Sequence, residues 1–285
     1  MTRQPHVARR AEELLGTAVA ATAPVAGGDV STATKLRLST GRSALMKTLT
    51  HAPEGFFEAE AAGLRWLGEA GGVRVPEVLA VETDCLILSW VEPGKLTTEA
   101  ASEFGRALAR THAAGAPSYG LDRDGFIGRL PMPNKPAPTW AEFYATRRVL
   151  PYLKLARDRK AIDEEGAAVV ESIIGRLAGL VPEEGPSRLH GDLWNGNVIW
   201  THEGGCCVID PAAHGGHRET DLAMLALFGL PHLPRVLAAY EEVTPLAEGW
   251  AERVGVHQLF PLLVHACLFG GGYGARAAEV AGRFA

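Results

Sequence analysis

The chain has 285 residues, of which 47% are hydrophobic and 21% are charged, and its formal net charge is −5. This length and composition are typical of globular material long enough for two lobes. Non-specific binding to nucleic acid or to an anionic membrane requires a positively charged protein surface, and the negative net charge does not supply one. Neither partner is therefore expected.

The N-terminus and the cysteines indicate in which cellular compartment the protein is found. Glu12 and Glu13 stand where a signal peptide would be apolar, and no stretch reaches the roughly 18 uninterrupted apolar residues of a membrane span. The four cysteines lie in apolar surroundings without C-x-x-C spacing, which is typical of reduced thiols. The sequence therefore predicts a cytoplasmic protein that begins with a helix.

Residues 1–91 combine short apolar segments with one helix, predicted at about 54–70. Strands are predicted at 34–38, 44–49, 78–81 and 85–90. Ser39–Arg42 has the composition of a hairpin turn. These elements predict a small antiparallel sheet with one main packed helix as an N-terminal, nucleotide-binding lobe.

Residues 92–285 begin at the Pro93-Gly94 boundary and show mostly helical periodicity. Helices are predicted at 98–112, 139–156, 164–180, 220–227, 233–243 and 247–269. The exception is a hairpin of segments 197–200 and 206–209. The fold class is therefore predicted as α+β with two lobes, the second being mostly helical and carrying the catalytic and acceptor-binding groups.

Three polar residues around this hairpin indicate phosphoryl transfer. Asp192 is followed five positions later by Asn197, and Asp210 follows the second strand. This order matches that of the catalytic aspartate and the metal ligands in kinase-like enzymes. Asp192 can accept the proton of an attacking hydroxyl, while Asn197 and Asp210 supply the oxygen ligands that Mg²⁺ prefers. His190 is predicted to brace this loop rather than act as a base.

A lysine and a glutamate in the first lobe fit the same chemistry. Lys47 ends an apolar strand, and Glu60, unlike Glu58, lies within the apolar stripe of the following helix. A core-facing carboxylate is costly unless it is paired, and Lys47 is the obvious cation. We expect the pair to orient the phosphates of ATP.

Two further segments are predicted to contact ATP. The turn at residues 25–32 contains glycines that permit close approach of the backbone, and Ser31 and Thr32 could donate hydrogen bonds to phosphate oxygens. An ordinary turn is the alternative, because no established phosphate-loop motif occurs here. The apolar segment 86–91 is predicted to enter an inter-lobe hinge, where the backbone of Ser89 and Val91 could bind adenine.

Two other groups of polar residues allow alternatives. Asp221 could cap the helix that begins near it or bond to the catalytic loop. His214 and His217 with Cys206 and Cys207 could suggest zinc. Adjacent cysteines are poor joint ligands and the usual paired spacing is missing, so zinc is disfavoured.

The motifs resemble the fructosamine kinase (ketosamine 3-kinase) family, within the aminoglycoside phosphotransferase-like branch of the protein-kinase-like fold. The matching strings are Gly27-Gly28-Asp29, residues 57–64, Arg74-Val-Pro, Ile127-Gly, His190-Gly-Asp-Leu-Trp, Asp210-Pro-Ala, Gly216-His-Arg-Glu-Thr-Asp-Leu-Ala-Met and Phe269-Gly-Gly-Gly-Tyr. The resemblance implies phosphorylation by ATP and Mg²⁺ of the sugar 3-hydroxyl in fructosamine-type adducts, which destabilises the adduct and removes it from the amine.

The resemblance also implies residue roles. Asp192 is the base, and Trp194 lines the sugar pocket; a ring two residues after the base can pack on the C–H face of a sugar, although a core position is the alternative. Asn197 and Asp210 bind magnesium, and Lys47 and Glu60 orient ATP.

The chain departs from the family near the acceptor pocket that the resemblance implies. His214 and Gly215 stand where the family usually has two aromatic residues, and Met132 stands where a glutamine is expected. We expect His214 to contact the acceptor, and the choice of ketosamine, free or protein-bound, stays open. The alternatives are a kinase for an aminoglycoside-like or choline-like metabolite and a nucleotide-binding pseudokinase regulator. A protein kinase is disfavoured because Pro-Ala rather than Phe-Gly follows Asp210.

Overall fold

The computed structural model describes residues 4–26 and 30–285. Its N-terminal part is a five-stranded antiparallel sheet in the order β1-β2-β3-β5-β4. The strands are β1 (Val19–Val25), β2 (Thr32–Leu38), β3 (Ser43–Thr48), β4 (Val78–Glu82) and β5 (Cys85–Ser89). Two helices accompany the sheet, α1 (Gln4–Leu15) and α2 (Phe56–Gly68). The predicted first helix, small sheet and main packed helix are confirmed.

The two faces of this sheet follow from side-chain alternation along β5. Cys85 and Ile87 pack in one buried cluster with Ala11 of α1, whereas Leu86 and Leu88 pack in another with residues of α2. Successive side chains of a strand point to opposite faces, so a strand that is apolar throughout is buried on both sides. The run of apolar residues in β5 is thus explained by a helix on each face.

Strand β1 was not predicted from the sequence. It pairs with β2 at the edge of the sheet, and its side chains are exposed or half-buried. Pro24 lies within it, and proline is tolerated in a strand at an edge, where its missing N–H costs no ladder hydrogen bond. A short strand rich in alanine, without alternation of apolar and polar residues, leaves little signal in the sequence.

The C-terminal part is mostly helical. Its helices are α3 (Thr98–Ala113), α4 (Trp140–Phe143), α5 (Leu150–Asp158), α6 (Glu164–Ser172), α7 (Leu177–Leu180), α8 (Glu219–Leu227), α9 (Leu233–Glu241), α10 (Trp250–Phe269) and α11 (Tyr273–Gly282). Short strands pair as β6 (Gly125–Ile127) with β7 (Leu130–Met132), β8 (Ser187–Leu189) with β11 (His214–Gly216), and β9 (Val198–Trp200) with β10 (Cys206–Val208). The predicted hairpin is β9–β10.

Two predicted helices are each divided. A π-helical stretch, Tyr144–Val149, separates α4 from α5, and a 3₁₀ turn, Ile174–Arg176, separates α6 from α7. Helix α11 and the strand pairs β6–β7 and β8–β11 were not predicted. None of the helices in the described part of the chain combines the length and apolar character needed to cross a bilayer. The lobe boundary between residues 91 and 92 stays a prediction; it falls between β5 and α3.

The segment after β5 is bonded to the β9–β10 hairpin. The Gly94 N–H donates to the carbonyl of Trp200 at 2.7 Å, and the His202 N–H donates to the carbonyl of Glu92 at 3.2 Å. A Cβ atom at Gly94 would overlap the backbone of Thr201 and His202. The hinge therefore needs glycine at this position because of close backbone approach.

We expect Gly94→Ala to lower the free energy of unfolding by about 1–3 kcal/mol, because the overlap can be relieved only by moving backbone. Chemical denaturation would measure the change. Gly185→Ala is the matched control, since a Cβ at Gly185 meets no atom within 4 Å. Equal unfolding midpoints for Gly94→Ala and the native protein would contradict the close packing of the hinge.

Candidate active site

A cavity of about 840 Å³ is lined by residues of both lobes, and it contains most of the predicted site residues. The lining includes Ser31, Lys47, Glu60, Ser89, Val91, Asp192, Trp194, Asn197 and Asp210. Its volume is typical of a pocket for a cofactor or small ligand.

Lys47 is held between two carboxylates. Its Nζ lies 2.6 and 2.8 Å from the carboxylate oxygens of Glu60 and 2.9 Å from Oδ1 of Asp210. Leu45 and Lys47 alternate with Ala44 and Met46 along β3, so the first pair faces the cavity and the second faces the core. Burial lowers the pKa of Lys47, but the two carboxylates outweigh it and raise the pKa above its usual value. The ammonium group therefore stays charged.

The loop that carries Asp192 is fixed by Asp221 of α8. Oδ2 of Asp221 accepts a hydrogen bond from the His190 N–H at 2.8 Å, and Oδ1 accepts one from the Gly191 N–H at 2.9 Å. Gly191 has φ of 82°, and a Cβ there would overlap the carbonyl of Ala212. Of the two alternatives for Asp221, the bond to the catalytic loop is the one observed.

His190 joins this loop to the strand end that carries Asp210. Its Nε2 lies 2.9 Å from the carbonyl of Ile209, and its Nδ1 accepts a hydrogen bond from the Asp192 N–H at 3.2 Å. The second bond places the ring proton on Nε2, which donates to Ile209. Burial lowers the pKa of His190, so the ring stays neutral near pH 7. As predicted, this histidine braces the loop.

Asp192 and Asn197 contact each other directly. The Asn197 amide group donates to the Asp192 carbonyl at 2.9 Å and lies 3.3 Å from Oδ2 of the Asp192 carboxylate. This orientation leaves Oδ1 of Asn197 available as a ligand. Burial, together with the nearby negative charge of Asp210, raises the pKa of Asp192 to about 7. A carboxyl group with such a pKa suits a base working near neutral pH.

Asp210 directly follows Ile209, whose N–H donates to the carbonyl of Asn197 at 3.0 Å. Asp210 has a left-handed backbone with φ of 55°, a conformation that aspartate and asparagine adopt more readily than other non-glycine residues. Its Oδ1 contacts Lys47, and the side chain is partly open to the cavity. The donor set of Asn197 Oδ1 and the Asp210 carboxylate fits a hard cation such as Mg²⁺.

The structure does not bring Thr32 to the cavity. Ser31 and Ala33 line it, whereas Thr32, between them at the start of β2, is exposed and is absent from the lining. Alternation along the strand accounts for the difference. The predicted phosphate contact is therefore kept for Ser31 and dropped for Thr32. The matching string Gly27-Gly28-Asp29 lies outside the described residues.

His214 is also away from the cavity. It belongs to β11, is 3% exposed, and its Nδ1 donates to the carbonyl of Ala212 at 2.9 Å. Its ring centroid lies 5.7 Å from that of Phe143. Burial, with a contribution from Arg148, lowers the pKa of His214 to about 3, so it is neutral. The predicted acceptor contact is replaced by a structural role beneath the catalytic loop.

Sequence reasoning missed an aromatic cluster next to Trp194. Phe228 lies 6.0 Å from Trp194 and 4.7 Å from His265, and His265 lies 5.5 Å from Phe269 and 5.2 Å from Tyr273, measured between ring centroids. Trp194, His265 and Phe269 line the cavity. The available signal was the polar His265, four residues before Phe269 in an otherwise apolar stretch of helix.

One buried histidine–carboxylate cluster, His217, Glu219 and His257, is found in the part of the chain that the structure describes. The Glu219 N–H donates to Nδ1 of His217, so the ring proton sits on Nε2 and that nitrogen has no free lone pair for a metal. Arg253 donates to both carboxylate oxygens of Glu219, at 2.6 and 2.8 Å. The cluster is therefore a buried ion pair with histidines packed beside it.

The pKa of Asp192 predicts how the reaction depends on pH. If ionised Asp192 is the base, kcat/KM should fall about tenfold per pH unit below the pKa of Asp192, which burial raises above its usual value. A cation bound by Asp210 would offset the negative charge that also raises this pKa, so initial rates between pH 4 and 9 should show the limb move to lower pH as magnesium is increased. A profile without an acidic limb would contradict the role of Asp192 as the group that must lose its proton.

Comparison with known proteins places the whole chain in one family. The model of the fructosamine kinase family matches residues 3–284. Relatives include a probable ketoamine kinase from Enterococcus faecium, 33% identical over 92% of this chain and 94% of the relative. Another, from Thermus thermophilus, is 38% identical over 88% of each chain.

Solved structures agree with this result. A protein from Thermobifida fusca assigned as a fructosamine-3-kinase superposes with a TM-score of 0.93 at 50% identity, over 97% of each chain. A choline kinase from Streptococcus pneumoniae superposes with a TM-score of 0.66 at 17% identity, over 99% of this chain and 98% of the other, which shows the shared fold. The predicted two-lobed, protein-kinase-like α+β fold is thus confirmed, and the chain belongs to the fructosamine kinase family.

Proposed function

We propose that this enzyme transfers the γ-phosphoryl group of ATP to the 3-hydroxyl of ketosamines, the adducts of a sugar with an amine. The observation that carries the proposal is the grouping in one cavity of Asp192, with a pKa raised to about 7, and the Lys47–Glu60–Asp210 ion-pair network. In a member of the fructosamine kinase family, this grouping supplies a base and a phosphate-binding cation.

The transfer assigns one task to each group. Asp192 holds the acceptor hydroxyl in line and takes its proton as the oxygen–phosphorus bond forms and the bond to the ADP leaving group breaks. Lys47, fixed by Glu60, binds the nucleotide phosphates and offsets their negative charge. Asn197 and Asp210 would hold Mg²⁺, which when bound neutralises charge on the phosphates. Magnesium and ATP are the cofactors that we propose.

The sugar is proposed to lie against Trp194. Trp194 lines the cavity two residues from the base, and an aromatic face packs well on the C–H groups of a sugar. Phosphorylation at the 3-hydroxyl would destabilise the adduct and release the amine, so the enzyme would act in deglycation. We also propose a cytoplasmic location, because the four cysteines are buried free thiols.

The test is ATP consumption with Mg²⁺ over a panel of fructose-lysine, ribulose-lysine, the free sugars, an aminoglycoside and choline. We expect turnover of the ketosamines at least about a hundredfold faster, as kcat/KM, than of the free sugars. Release of free lysine after the reaction would support phosphorylation at the 3-hydroxyl. Turnover of choline or the aminoglycoside alone would show that the acceptor is that compound and not a ketosamine. ATP binding without turnover of any acceptor would favour a pseudokinase.

A further inference from the structure

The end of β5 departs from the regular ladder next to the cavity. Val78 of β4 stands opposite Leu88 of β5, so the next opposed pair is Glu77 and Ser89. In a regular antiparallel ladder, such a pair exchanges two backbone hydrogen bonds. One is present, because the Ser89 N–H donates to the carbonyl of Glu77 at 2.8 Å. The other is replaced, because the Glu77 N–H donates to the side-chain Oγ of Ser89 at 2.9 Å.

This replacement leaves the backbone carbonyl of Ser89 without a hydrogen-bond donor among the described residues. Strand β3, on the other side of β5, does not supply a donor either. There the backbone bond is made by Trp90, the residue after Ser89, whose N–H donates to the Ser43 carbonyl at 3.2 Å. Pro76, which precedes Glu77, has no N–H to offer. A half-buried backbone carbonyl with no protein donor is open to a partner from outside the chain, either water or a bound ligand.

The unpaired carbonyl belongs to the cavity wall. Pro76, Ser89 and Val91 all line the cavity, at the end of the sheet where β5 leaves for the second lobe. Along an extended strand, the carbonyl of one residue and the N–H of the residue two positions later face the same side. The Ser89 carbonyl and the Val91 N–H, two residues apart in this wall, are the acceptor and the donor that we assign to the edge of a planar base.

We propose that the side-chain hydroxyl of Ser89 determines the choice of nucleotide by occupying the Glu77 N–H, which keeps the Ser89 carbonyl available to the 6-amino group of adenine. Adenine presents an amino donor at this position, whereas guanine presents a carbonyl acceptor that would meet the Ser89 carbonyl unfavourably. The inference rests on the proposed binding of ATP in this cavity. It assigns to Ser89 a positioning role through its own backbone.

The experiment compares the dissociation constants of ATP and GTP by calorimetry without an acceptor, for the native protein, S89A and S89T. In S89A the Glu77 N–H loses its side-chain partner and can donate to the backbone carbonyl of residue 89 instead. We therefore expect ATP to bind about tenfold more weakly and the preference for ATP over GTP to shrink by a similar factor. S89T keeps a hydroxyl at the same atom and should keep the native preference. In turnover, S89A should raise the KM for ATP and leave kcat nearly unchanged.

A double variant separates this effect from a general weakening of the hinge. S89A/E77P removes the N–H that would capture the carbonyl, so the preference for ATP should return towards the native value. An unchanged ATP-to-GTP ratio in S89A, in a protein that binds ATP, would overturn the inference and leave the proposed function intact. A native protein that binds neither nucleotide would overturn the inference and the proposed function together.

Discussion

Replacing Asp192 by asparagine is expected to lower kcat by about a thousandfold or more, with the KM for ATP changed by no more than a few-fold. The amide has nearly the shape of the carboxylate, and the neighbouring Asn197 can still contact it, but it cannot take the proton of the acceptor hydroxyl. Single-turnover rates with a ketosamine would measure the loss. Asp158→Asn, at an exposed site on α5 that is paired with Lys154, is the matched control.

The same variant has an expected stability signature. Because the folded carboxyl of Asp192 has its pKa raised to about 7, it binds its proton more tightly than the unfolded chain does, and stability is lost as the pH rises from about 4 through 7. Asp192→Asn removes that loss. Its melting temperature should exceed that of the native protein at pH 8, and the difference should shrink as the pH falls towards 4. Retained turnover, or a lower melting temperature at pH 8, would contradict the environment described for Asp192.

Replacing Asp210 by asparagine is expected to reduce kcat by about a thousandfold, because one negative ligand for the proposed magnesium ion is lost. Asparagine is the appropriate substitution, since it tolerates the left-handed φ of 55° at this position and keeps the backbone in place. The activity that remains should need a higher magnesium concentration for half saturation. Rates over a magnesium titration would show both effects.

The variant at Asp210 also makes a prediction about Asp192. The charge of Asp210 contributes, after burial, to the raised pKa of Asp192, so its removal should move the acidic limb of the pH–rate profile to lower pH. Asp158→Asn again serves as the control and should leave the limb in place. Full activity of Asp210→Asn at low magnesium would exclude Asp210 as a metal ligand.

The sequence predicted the parts of the site that depend on local order. Asp192 and Asn197 lie five positions apart in one loop, and Glu60 lies on a helical stripe whose period can be read from the sequence. Thr32 could not be separated from Ser31, because the phase of a strand at its first residue depends on the turn before it. For Asp221 the sequence left a helix cap and a bond to the catalytic loop as alternatives, because the observed hydrogen bonds reach back about 30 residues.

Other features depend on contacts between distant segments. The aromatic cluster joins Trp194 to residues of α10 and α11, and no sequence period relates them. His214 was assigned from its position in a family pattern, whereas its burial depends on pairing between β8 and β11, which the sequence did not indicate. Tertiary pairing of short segments decides such positions, and three-residue strands carry too little pattern to predict it.

The bonds between the hinge and the β9–β10 hairpin bear on how the two lobes can move. Asn197 directly precedes β9 and Asp210 follows the hairpin, while Trp200 and His202 of the hairpin are bonded to Gly94 and Glu92. The hinge proposed to border adenine and the two proposed oxygen ligands of magnesium are therefore carried by one connected unit. A rotation of the sheet would shift Lys47 relative to Asn197 and Asp210 but keep those two residues fixed against Glu92 and Gly94. Substitutions in α10 could then change the proposed acceptor pocket without altering these bonds.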